Sequence, residues 1–353
     1  MLSKLFESVL LGLYSEHLLR DPLQFGFKKG SGCNNALFAF VESVKYFTKS
    51  DSKIHCAFLD ASKAFDKVLI NGLLNKLIDR KIPFHFISLL YNWYSNLSCA
   101  VVWNTAIGCP FPVTCGVRQG GVLSPFLFAI YVDDVINQLR KCGFGIQIGN
   151  MFAGCLLYAD DIVLLSGSWY GLQKMINICW LFGILWDIKF NPAKSLVTTF
   201  GGPSPISDIK SIEGSVIPVV NRVKYLGCYF SAPSAEVDLS PSLGKFHGSF
   251  NNILNVIGHN RDEILAVHLT KTYCLPTVMY GCEAWAGCAT AFEIKSLSVA
   301  YNNTFRKIFN SCWRESPRSL QFYCGCLPAF YLIDQRRLLF WKKMLTSRLT
   351  MFY

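Results

Sequence analysis

The spacing of apolar residues changes along the chain, and each spacing predicts a particular kind of secondary structure. Apolar residues three or four positions apart predict amphipathic helices, whereas short continuous or alternating apolar runs predict strands. The predicted helices cover residues 2–13, 69–78, 84–97, 120–140 and 169–186, and the predicted strands cover 53–59, 100–107, 111–117, 152–165, 195–200 and 222–230. Beyond residue 233 the pattern is mostly helical, which predicts a boundary within 231–241.

The composition is that of a folded protein with a large core. Of the 353 residues, 52% are hydrophobic and 16% are charged, which excludes intrinsic disorder; the length predicts two or three subdomains. The mean hydropathy of +0.31 raises the question of a membrane protein. However, the most apolar run, residues 178–186, is shorter than the ~18 residues that span a bilayer.

The N-terminal segment predicts a surface helix and not a signal peptide. Glu7 interrupts the apolar core that a signal peptide needs. The apolar residues around it fall on one helical face, and they are Leu2, Leu5, Phe6, Val9, Leu10 and Leu13. We therefore expect an intracellular protein, in the nucleus or the cytoplasm, with no membrane partner.

Positive charge is concentrated near the C-terminus. The formal net charge is +11, and residues 301–353 contribute +7 of it, because nine basic residues stand against Glu315 and Asp334. Such a segment is either a solvated helical surface or a surface that binds nucleic-acid phosphates. The basic residues are Arg306, Lys307, Arg314, Arg318, Arg336, Arg337, Lys342, Lys343 and Arg348. The aromatic residues among them are Trp313, Tyr323, Phe340 and Trp341; we expect them to pack the helices together, with the stacking of nucleic-acid bases as the alternative.

The fifteen cysteines do not form a recognisable zinc motif. No C-x-x-C pair occurs, Cys324 and Cys326 are one residue apart, and no histidine lies near them. An odd number of cysteines scattered through apolar segments is typical of reduced thiols in the core of an intracellular protein. We therefore expect neither a zinc site nor a disulfide partner.

Two adjacent aspartates interrupt the apolar segment 152–165. Asp160 and Asp161 have apolar runs on both sides, so a tight hairpin would place both carboxylates at its tip. An acidic pair above buried strands is costly unless a cation neutralises it; a plain solvated turn is the alternative. Carboxylate oxygens suit Mg²⁺, and two-metal nucleotidyl transfer needs ligands from at least two separate strands.

Other aspartates differ in their local setting. Asp60 directly follows the predicted strand 53–59. It is either a further metal-binding carboxylate, from a second strand, or a helix N-cap. Asp66 follows in the next turn and is interpreted as a first-turn helix acid. Asp133 and Asp134 complete a second Y-x-D-D sequence inside a helical pattern. Neighbouring side chains on a helix diverge by about 100°, so this pair cannot converge on one metal site.

Seven sequence blocks carry a resemblance to a known family. In chain order they are QFGFKKG, FLDASKAFD, GVRQGGVLSPFLF, LLYADDIVLL, FNPAKS, VKYLGCYF and PTVMYGCEAW. In order and spacing they resemble the successive blocks of reverse transcriptases from non-LTR (LINE-type, jockey-like) retrotransposons. The resemblance covers nearly the whole chain. Y-A-D-D alone is a weak match, whereas the ordered set is a strong one.

The resemblance implies an α+β fold of the right-hand polymerase type. Its palm would be an antiparallel sheet packed on helices, and its thumb would be mostly helical. Residues 1–52 and 84–118 would form the fingers, residues 53–83 and 119–231 the palm with the catalytic site, and residues 232–353 the thumb with the basic helical C-terminal region. Family members carry an extended basic strand before the segment matched by LSKLFE, so the fingers are expected to be N-terminally incomplete.

The resemblance also implies roles for residues of the catalytic centre. Asp60, Asp160 and Asp161 would be the metal-binding triad, and the backbone carbonyl of Ala61 would be a further ligand. Phe65 would be the steric gate that excludes a ribose 2′-hydroxyl, with a core phenylalanine as the alternative.

The remaining implied roles concern substrates and nucleic acid. Lys28 would reach the triphosphate; Lys194 would lie near the leaving pyrophosphate, or else be an ordinary exposed lysine. The other positions are the nucleotide-pocket residues Arg118, Gln119 and Gly120, the primer grip Tyr225, Leu226 and Gly227, and the nucleic-acid-binding residues Arg336, Arg337, Lys342 and Lys343.

The function implied by the resemblance is RNA-directed DNA polymerase (reverse transcriptase) activity. Its cofactors would be two Mg²⁺ ions, with Mn²⁺ as a substitute, and its partners an RNA template, a DNA primer and deoxynucleoside triphosphates. One alternative is a truncated or inactive element copy that only binds nucleic acid. The other is a group II intron-type maturase. The GVRQGG and YGCEAW segments resemble the LINE type more than such a maturase.

Overall fold

The computed structural model describes residues 2–28, 30–232, 234–258 and 262–346. The chain divides into two compact units. The sheet unit comprises Met1–Gly32, Lys53–Thr199 and Ser204–Val220, and the helical unit comprises Cys33–Ser52, Phe200–Pro203 and Asn221–Tyr353. The fingers, palm and thumb bounds stay predictions, since this division follows different lines.

Helices and strands alternate irregularly along the described chain. The helices are α1 (Leu2–Tyr14), α2 (Cys33–Thr48), α3 (Ile70–Asp79), α4 (Phe84–Ser95), α5 (Ser124–Lys141), α6 (Trp169–Leu185), α7 (Ser240–Ile257), α8 (Glu263–Leu269), α9 (Leu275–Met279), α10 (Cys282–Trp285), α11 (Ala291–Ile308), α12 (Arg318–Tyr323) and α13 (Ala329–Thr346). The main strands are β1 (Ile54–Leu59), β2 (Ala61–Ser62), β3 (Ser98–Cys99), β4 (Val102–Trp103), β5 (Ala106–Ile107), β6 (Phe111–Pro112), β7 (Gln147–Ile148), β8 (Met151–Phe152), β9 (Cys155–Tyr158), β10 (Asp161–Ser166), β11 (Lys189–Phe190), β12 (Leu196–Phe200), β13 (Ile209–Lys210), β14 (Val216–Ile217), β15 (Arg222–Tyr225), β16 (Cys228–Ser231) and β17 (Glu236–Val237). The α+β class predicted from the sequence is confirmed.

A four-stranded sheet with the order β12-β1-β10-β9 forms the centre of the sheet unit. All six residues of β1 are buried, which explains why its sequence, IHCAFL, is apolar almost throughout. β1 pairs antiparallel with β10, and Leu59 lies opposite Ile162. β10 pairs antiparallel with β9 as a hairpin. Helix α6 packs on β1 and β10 and also on α5, so helices cover the sheet that carries the predicted carboxylates.

Helix α1 forms as predicted, but its apolar face is largely exposed. Leu10 and Glu7 are its buried residues, and Phe6 stacks on Trp93 of α4 at 4.8 Å between ring centroids. Glu7 is buried because its carboxylate accepts the N–H groups of Val122 and Leu123 ahead of α5. These N–H groups precede the first helical turn and would otherwise have no intrahelical partner.

The two strands predicted for residues 100–117 are wrong in extent. The segment instead forms a nested pair of short ladders, β3 with β6 and β4 with β5. The apolar side chains of β4, β5 and β6 are exposed, Trp103 by 78%, so the hydrophobic pattern of these strands does not indicate a buried strand face. Propensity alone cannot distinguish an exposed hairpin from a core strand.

The second Y-x-D-D sequence lies on α5, as predicted, where its aspartates form ion pairs. Asp133 is 2% exposed and pairs with Arg80 at 3.4 Å. Asp134 pairs at 2.8 Å with Lys76, whose side chain is 3% exposed. The Lys76 ammonium also lies 3.9 Å from the ring centroid of Trp186. Ion pairs of both aspartates therefore connect α5 to the C-terminal part of α3.

The stability of the protein should depend on pH through Asp133. Burial raises the pKa of this carboxyl to about 6, compared with about 3.9 in an unfolded chain. Its contribution to stability is therefore present below about pH 4 and is lost as the pH rises through about 6. We expect the unfolding free energy of the wild type minus that of Asp133→Asn to fall by about 2–3 kcal/mol between about pH 4 and pH 7. Denaturant unfolding of both proteins at both pH values measures this, and a constant difference would contradict it.

The helical unit contains a small antiparallel sheet in the order β15-β16-β17. Phe40 of α2 contacts Phe200, Tyr225 and Phe230 through edge-to-face ring packing. This aromatic packing explains why α2, although early in the chain, belongs to the same unit as the C-terminal helices.

The cysteines are reduced, and about half of them lie in the core. The chain's fifteen cysteines are free thiols. The buried ones are Cys56, Cys155, Cys179, Cys228, Cys274, Cys282 and Cys326, and the exposed ones are Cys99, Cys109 and Cys312. Within the described ranges, no helix is both long enough and apolar enough to cross a bilayer.

Candidate active site

Asp160 and Asp161 lie at the tip of the β9–β10 hairpin. Tyr158 pairs with Asp161, which leaves Ala159 and Asp160 as a two-residue turn. Ala159 has a φ of +57°, the left-handed conformation that tight hairpin turns require. Cys155, Leu156 and Leu157 of β9 and the five residues after Asp161 are buried, so the hairpin that the sequence predicts places both carboxylates at the end of buried strands.

Asp60 comes next to this pair through the register of the sheet. Leu59 is opposite Ile162, so the same antiparallel register, continued by one residue, brings Asp60 opposite Asp161. Residues in such facing positions have Cβ atoms about 4.5–5.5 Å apart. Asp60 is not a helix N-cap, because β2 follows it and the next helical turn starts at Ala64. The N-cap alternative for Asp60 is therefore wrong.

Two hydrogen bonds of its backbone groups, one of them to a side chain, fix the position of Asp60. Its N–H donates to the Ser195 hydroxyl at 3.2 Å, and its carbonyl accepts the N–H of Asn191 at 2.9 Å. Both partners belong to the FNPAKS block, whose Phe190 pairs with Ala61 between β11 and β2. Lys194, in the same turn, is exposed. The block therefore carries Lys194 to the neighbourhood of Asp60, as the predicted role requires, without showing the role itself.

The three carboxylates repel one another. Burial, and then the charges of Asp160 and Asp60, raise the pKa of Asp161 to about 6. Burial and the charge of Asp60 also raise the pKa of Asp160. Asp161 as a whole residue is accessible to solvent, so the burial of its carboxyl group is partial and water screens part of this repulsion. The site therefore carries uncompensated negative charge that a bound cation would relieve.

The donor atoms at this edge suit a hard divalent cation. The side-chain donors are carboxylate oxygens, and Ala61, whose carbonyl is a predicted ligand, follows Asp60 directly in the chain; Mg²⁺ and Mn²⁺ prefer oxygen ligands. Nevertheless, among the residues that the structure describes, no group of three or more His, Cys, Asp or Glu side chains is already arranged to hold a metal ion. The oxygen donors and the negative charge of the three aspartates suit a cation. The coordination of a metal ion by these residues stays a prediction.

The segment with Arg118 and Gln119 packs beside the segment with Phe65. The N–H of Val117 donates to the carbonyl of Phe65 at 2.9 Å, and the Gln119 amide donates to Asp66 at 2.7 Å. Arg118 lies 3.5 Å from Glu7. Asp66 lies in the first turn of a short 3₁₀ helix, Ala64–Lys67, as predicted. Gly120, with a φ of +75°, completes this adjoining set of predicted nucleotide-pocket residues.

Phe65 is half-buried and is not a fully enclosed core residue. Its ring stacks on Phe128, with centroids 4.1 Å apart, and meets Phe27 edge to face at 6.0 Å. One side of the ring is therefore supported, while part of the side chain is accessible. Such a supported, partly accessible ring is compatible with a steric gate.

Lys28 has a different electrostatic environment from the carboxylate triad. Burial lowers the pKa of Lys28, and nearby Arg20 lowers it further, against the charges of Asp21 and Asp133. The charged groups that act on Lys28 thus belong to the α5 side of the unit. Its reach to a triphosphate stays a prediction.

The QFGF segment contains site residues that the sequence analysis missed. The sequence analysis used the segment only as part of the first block of the resemblance, QFGFKKG, in which Lys28 alone received a role. In the structure, the N–H of Phe25 donates to the carbonyl of Leu157 at 2.8 Å, and the N–H of Leu157 donates to Leu23 at 2.9 Å. The segment therefore pairs with β9 through an isolated parallel bridge between Gln24 and Leu157. The signal in the sequence was a lone glutamine, Gln24, among apolar residues.

The predicted primer grip is a tight turn in the helical unit. Tyr225 pairs with Cys228, so Leu226 and Gly227 form the turn, with φ angles of +42° and +86°. Two consecutive positive φ angles are typical of the tightest hairpins. Leucine seldom adopts this conformation, and such residues cluster at functional positions.

The four predicted nucleic-acid-binding residues of α13 are not equivalent. Arg336 donates to the carbonyl of Met279 at 3.2 Å and therefore helps to hold the helix in place. Arg337 lies 3.9 Å from Asp334, and Lys342 and Lys343 are exposed. Arg348 lies outside the described residues.

The aromatic residues among these basic residues divide into two groups. Phe340 and Trp341 pack against Phe38 with ring centroids 5.5 Å apart, which agrees with the expected packing role. Trp313 and Tyr323 are exposed, so for these two the expectation is wrong. The Arg314 guanidinium carbon lies 4.9 Å from the centroid of the Trp313 ring, and the Trp313 side chain is still largely exposed.

Comparison with known proteins yields a consistent set of relatives. Residues 1–230 match the family model described as reverse transcriptase (RNA-dependent DNA polymerase). The chain is 28% identical over 330 residues to the probable RNA-directed DNA polymerase from transposon BS of Drosophila melanogaster, covering 87% of this chain and 35% of that protein. It is 26% identical over 336 residues to the RNA-directed DNA polymerase from mobile element jockey of Drosophila funebris, covering 91% and 36%. The chain thus spans about a third of the length of these curated relatives.

Solved structures give a more distant likeness. The structure of apo telomerase from Candida Tropicalis aligns with a TM-score of 0.47 and 13% sequence identity, covering 99% of this chain and 58% of that chain.

Proposed function

Because the chain belongs to the reverse transcriptase (RNA-dependent DNA polymerase) family, we propose that it extends a DNA primer on an RNA template with deoxynucleoside triphosphates. The observation that carries the proposal is the position of Asp60 opposite Asp161 and beside Asp160 at one sheet edge. The relatives named above favour a mobile-element polymerase over an intron-type maturase.

Reverse transcriptases use divalent metal ions, and we propose two Mg²⁺ ions here, replaceable by Mn²⁺. Asp60, Asp160, Asp161 and the Ala61 carbonyl would hold them. Bound there, the ions would activate the primer 3′-hydroxyl and hold the triphosphate. The chain's own contribution is to hold the oxygen ligands at one edge, with the β1–β10 register and the FNPAKS turn as supports.

The residues around this edge would bind and select the nucleotide. Gln119 and Arg118, anchored by Asp66 and Glu7, would line the pocket with Gly120. Lys28 and Lys194 would contact the phosphates. We further propose the predicted fingers, palm and thumb bounds, with Tyr225, Leu226 and Gly227 as the primer grip.

Primer extension tests the proposal directly. The purified chain is incubated with a labelled DNA primer annealed to RNA, deoxynucleoside triphosphates and Mg²⁺. We expect stepwise extension that a chelator abolishes. A folded protein that binds the primer–template but does not extend it, with Mg²⁺ or Mn²⁺, would support the alternative of an inactive nucleic-acid-binding copy.

Replacing Phe65 by valine should weaken the discrimination between sugars. Valine would leave space beside the sugar, so we expect ribonucleotide incorporation relative to deoxyribonucleotide to rise by about 10–100-fold in kcat/KM. Phe65→Tyr keeps the ring and should retain the preference. Single-nucleotide incorporation assays measure the ratio. An unchanged ratio in folded Phe65→Val, accompanied by reduced stability, would return Phe65 to a core role.

The exposed end of α13 should bind nucleic acid through phosphates without sequence preference. We expect the double variant Lys342→Gln, Lys343→Gln to weaken binding equally for unrelated RNA sequences. The slope of log K against log salt should become shallower by about 1–2, because fewer counterions are released. Filter binding at several salt concentrations measures this.

The control for charge alone is the double variant Lys49→Gln, Lys53→Gln, which removes two exposed lysines outside the predicted binding residues. Its salt dependence should remain that of the wild type. Parallel slopes for the wild type and the α13 variant would show that Lys342 and Lys343 only face solvent.

A further inference from the structure

Gln24 is a fully buried polar residue that contacts Ala159, in the turn between β9 and β10. It is 0% exposed, and an isolated parallel bridge to Leu157 of β9 sets its position. Burying a glutamine amide is costly unless its polar groups are hydrogen-bonded. The partners of this amide are therefore informative.

The Gln24 amide binds the peptide groups on both sides of Ala159. Its Oε1 accepts the N–H of Ala159 at 3.2 Å and the N–H of Gly26 at 3.0 Å. Its Nε2 donates to the carbonyl of Ala159 at 3.5 Å. The hydrogen bond donated by Nε2 is long, so the two bonds that Oε1 accepts are the stronger ones. We call this set of bonds around Ala159 the Gln24 clamp.

These bonds act on the residue whose conformation aims the carboxylates. Ala159 has a φ of +57°, which is unfavourable for a residue with a Cβ atom. Asp160 follows it directly, and Asp161 begins β10. A change in the Ala159 peptide orientation would therefore redirect both side chains.

We propose that Gln24 is a positioning residue that clamps the Ala159 turn and thereby orients Asp160 and Asp161 for divalent cations. This inference rests on the proposed function, since it assumes that the carboxylates bind the metal ions. Residues that orient metal ligands from behind typically change metal affinity by about 10–100-fold when removed.

Gln173 offers a matched control in the same unit. Its Nε2 donates to the carbonyl of Lys210 at 2.7 Å, and its Oε1 accepts the N–H of Lys210 at 2.9 Å. It thus makes the same two-way clamp on a peptide of β13, which carries no predicted catalytic residue. Gln24→Met and Gln173→Met each keep side-chain length and remove the amide.

The test measures Mn²⁺ binding without substrate, by electron paramagnetic resonance of the free ion, for the wild type, both methionine variants and Asp161→Asn. We expect Gln24→Met to raise the Mn²⁺ Kd by about tenfold and Gln173→Met to leave it unchanged. In primer extension, Gln24→Met should raise the Mg²⁺ concentration needed for half-maximal rate while the KM for nucleotide changes little.

Three results separate the possible failures. Mn²⁺ binding that depends on Asp161 but is unchanged in folded Gln24→Met would overturn the positioning role alone. Binding that Asp161→Asn does not weaken would overturn the metal site and the positioning role together. If Gln24→Met does not fold, Gln24→Asn, which keeps an amide but is too short to span the clamp, should raise the Kd by a smaller factor, and an unchanged Kd would overturn the inference.

Discussion

Replacing Asp161 by asparagine should reduce primer extension by about a thousandfold or more, because metal ligation of this kind supplies several kcal/mol of transition-state stabilisation. The backbone pairing of Asp161 with Tyr158 does not involve the side chain, so the hairpin should still form. The substitution removes the charge while it keeps the size of the side chain. Steady-state primer extension, with unfolding measured in parallel, gives the comparison.

The control for this prediction is Asp134→Asn, in the second Y-x-D-D sequence. Asp134 pairs with Lys76 on the α3–α5 contact, so its loss should lower stability but leave the rate of extension within about threefold at temperatures where the variant is folded. If instead Asp134→Asn abolished extension and Asp161→Asn did not, the assignment of the two Y-x-D-D sequences would have to be exchanged.

Replacing Gly26 by alanine should damage the same turn from another side. A Cβ atom at Gly26 would lie 2.6 Å from the backbone nitrogen of Ala159 and 3.3 Å from its Cα. Backbone atoms cannot rotate away as a side chain can, so we expect a loss of about 1–3 kcal/mol in unfolding free energy. Extension should also slow, because the turn that carries Asp160 must shift.

Gly32→Ala is the matched control, since a Cβ atom there would meet no atom within 4 Å. Its unfolding free energy should stay within about 0.5 kcal/mol of the wild type. Denaturant unfolding and primer extension on the three proteins measure both effects. Equal stability and activity of Gly26→Ala and Gly32→Ala would show that the turn tolerates displacement.

Family membership and fold class were both predictable from the sequence. The prediction of a reverse transcriptase of the non-LTR type is confirmed by the family match over residues 1–230 and by relatives in transposon BS and jockey. The ordered blocks made the family recognisable. Polar residues such as Asp60 and Asp160 lie next to apolar strands, where packing alone would not favour a carboxylate but metal-dependent chemistry requires one.

Local patterns also predicted the elements of the sheet unit that carry these residues. The hairpin at Asp160 and Asp161 was predicted because apolar runs on both sides must be buried while the acidic pair must not. The second pair, Asp133 and Asp134, was correctly placed on a helix because its apolar neighbours recur with helical spacing. Both conclusions depend only on residues close in sequence.

The tertiary structure alone decided which distant residues support the site. Gln24 and Glu7 were not assigned functional roles from the sequence, because a buried amide or carboxylate is explained only by the backbone groups that it satisfies. The exposed hairpin around Trp103 was predicted as two longer strands for a related reason, since the extent and burial of a strand depend on what packs against it. Sequence spacing therefore determined the elements and the acidic tip, whereas hydrogen-bond partners far apart in the chain determined how that tip is held.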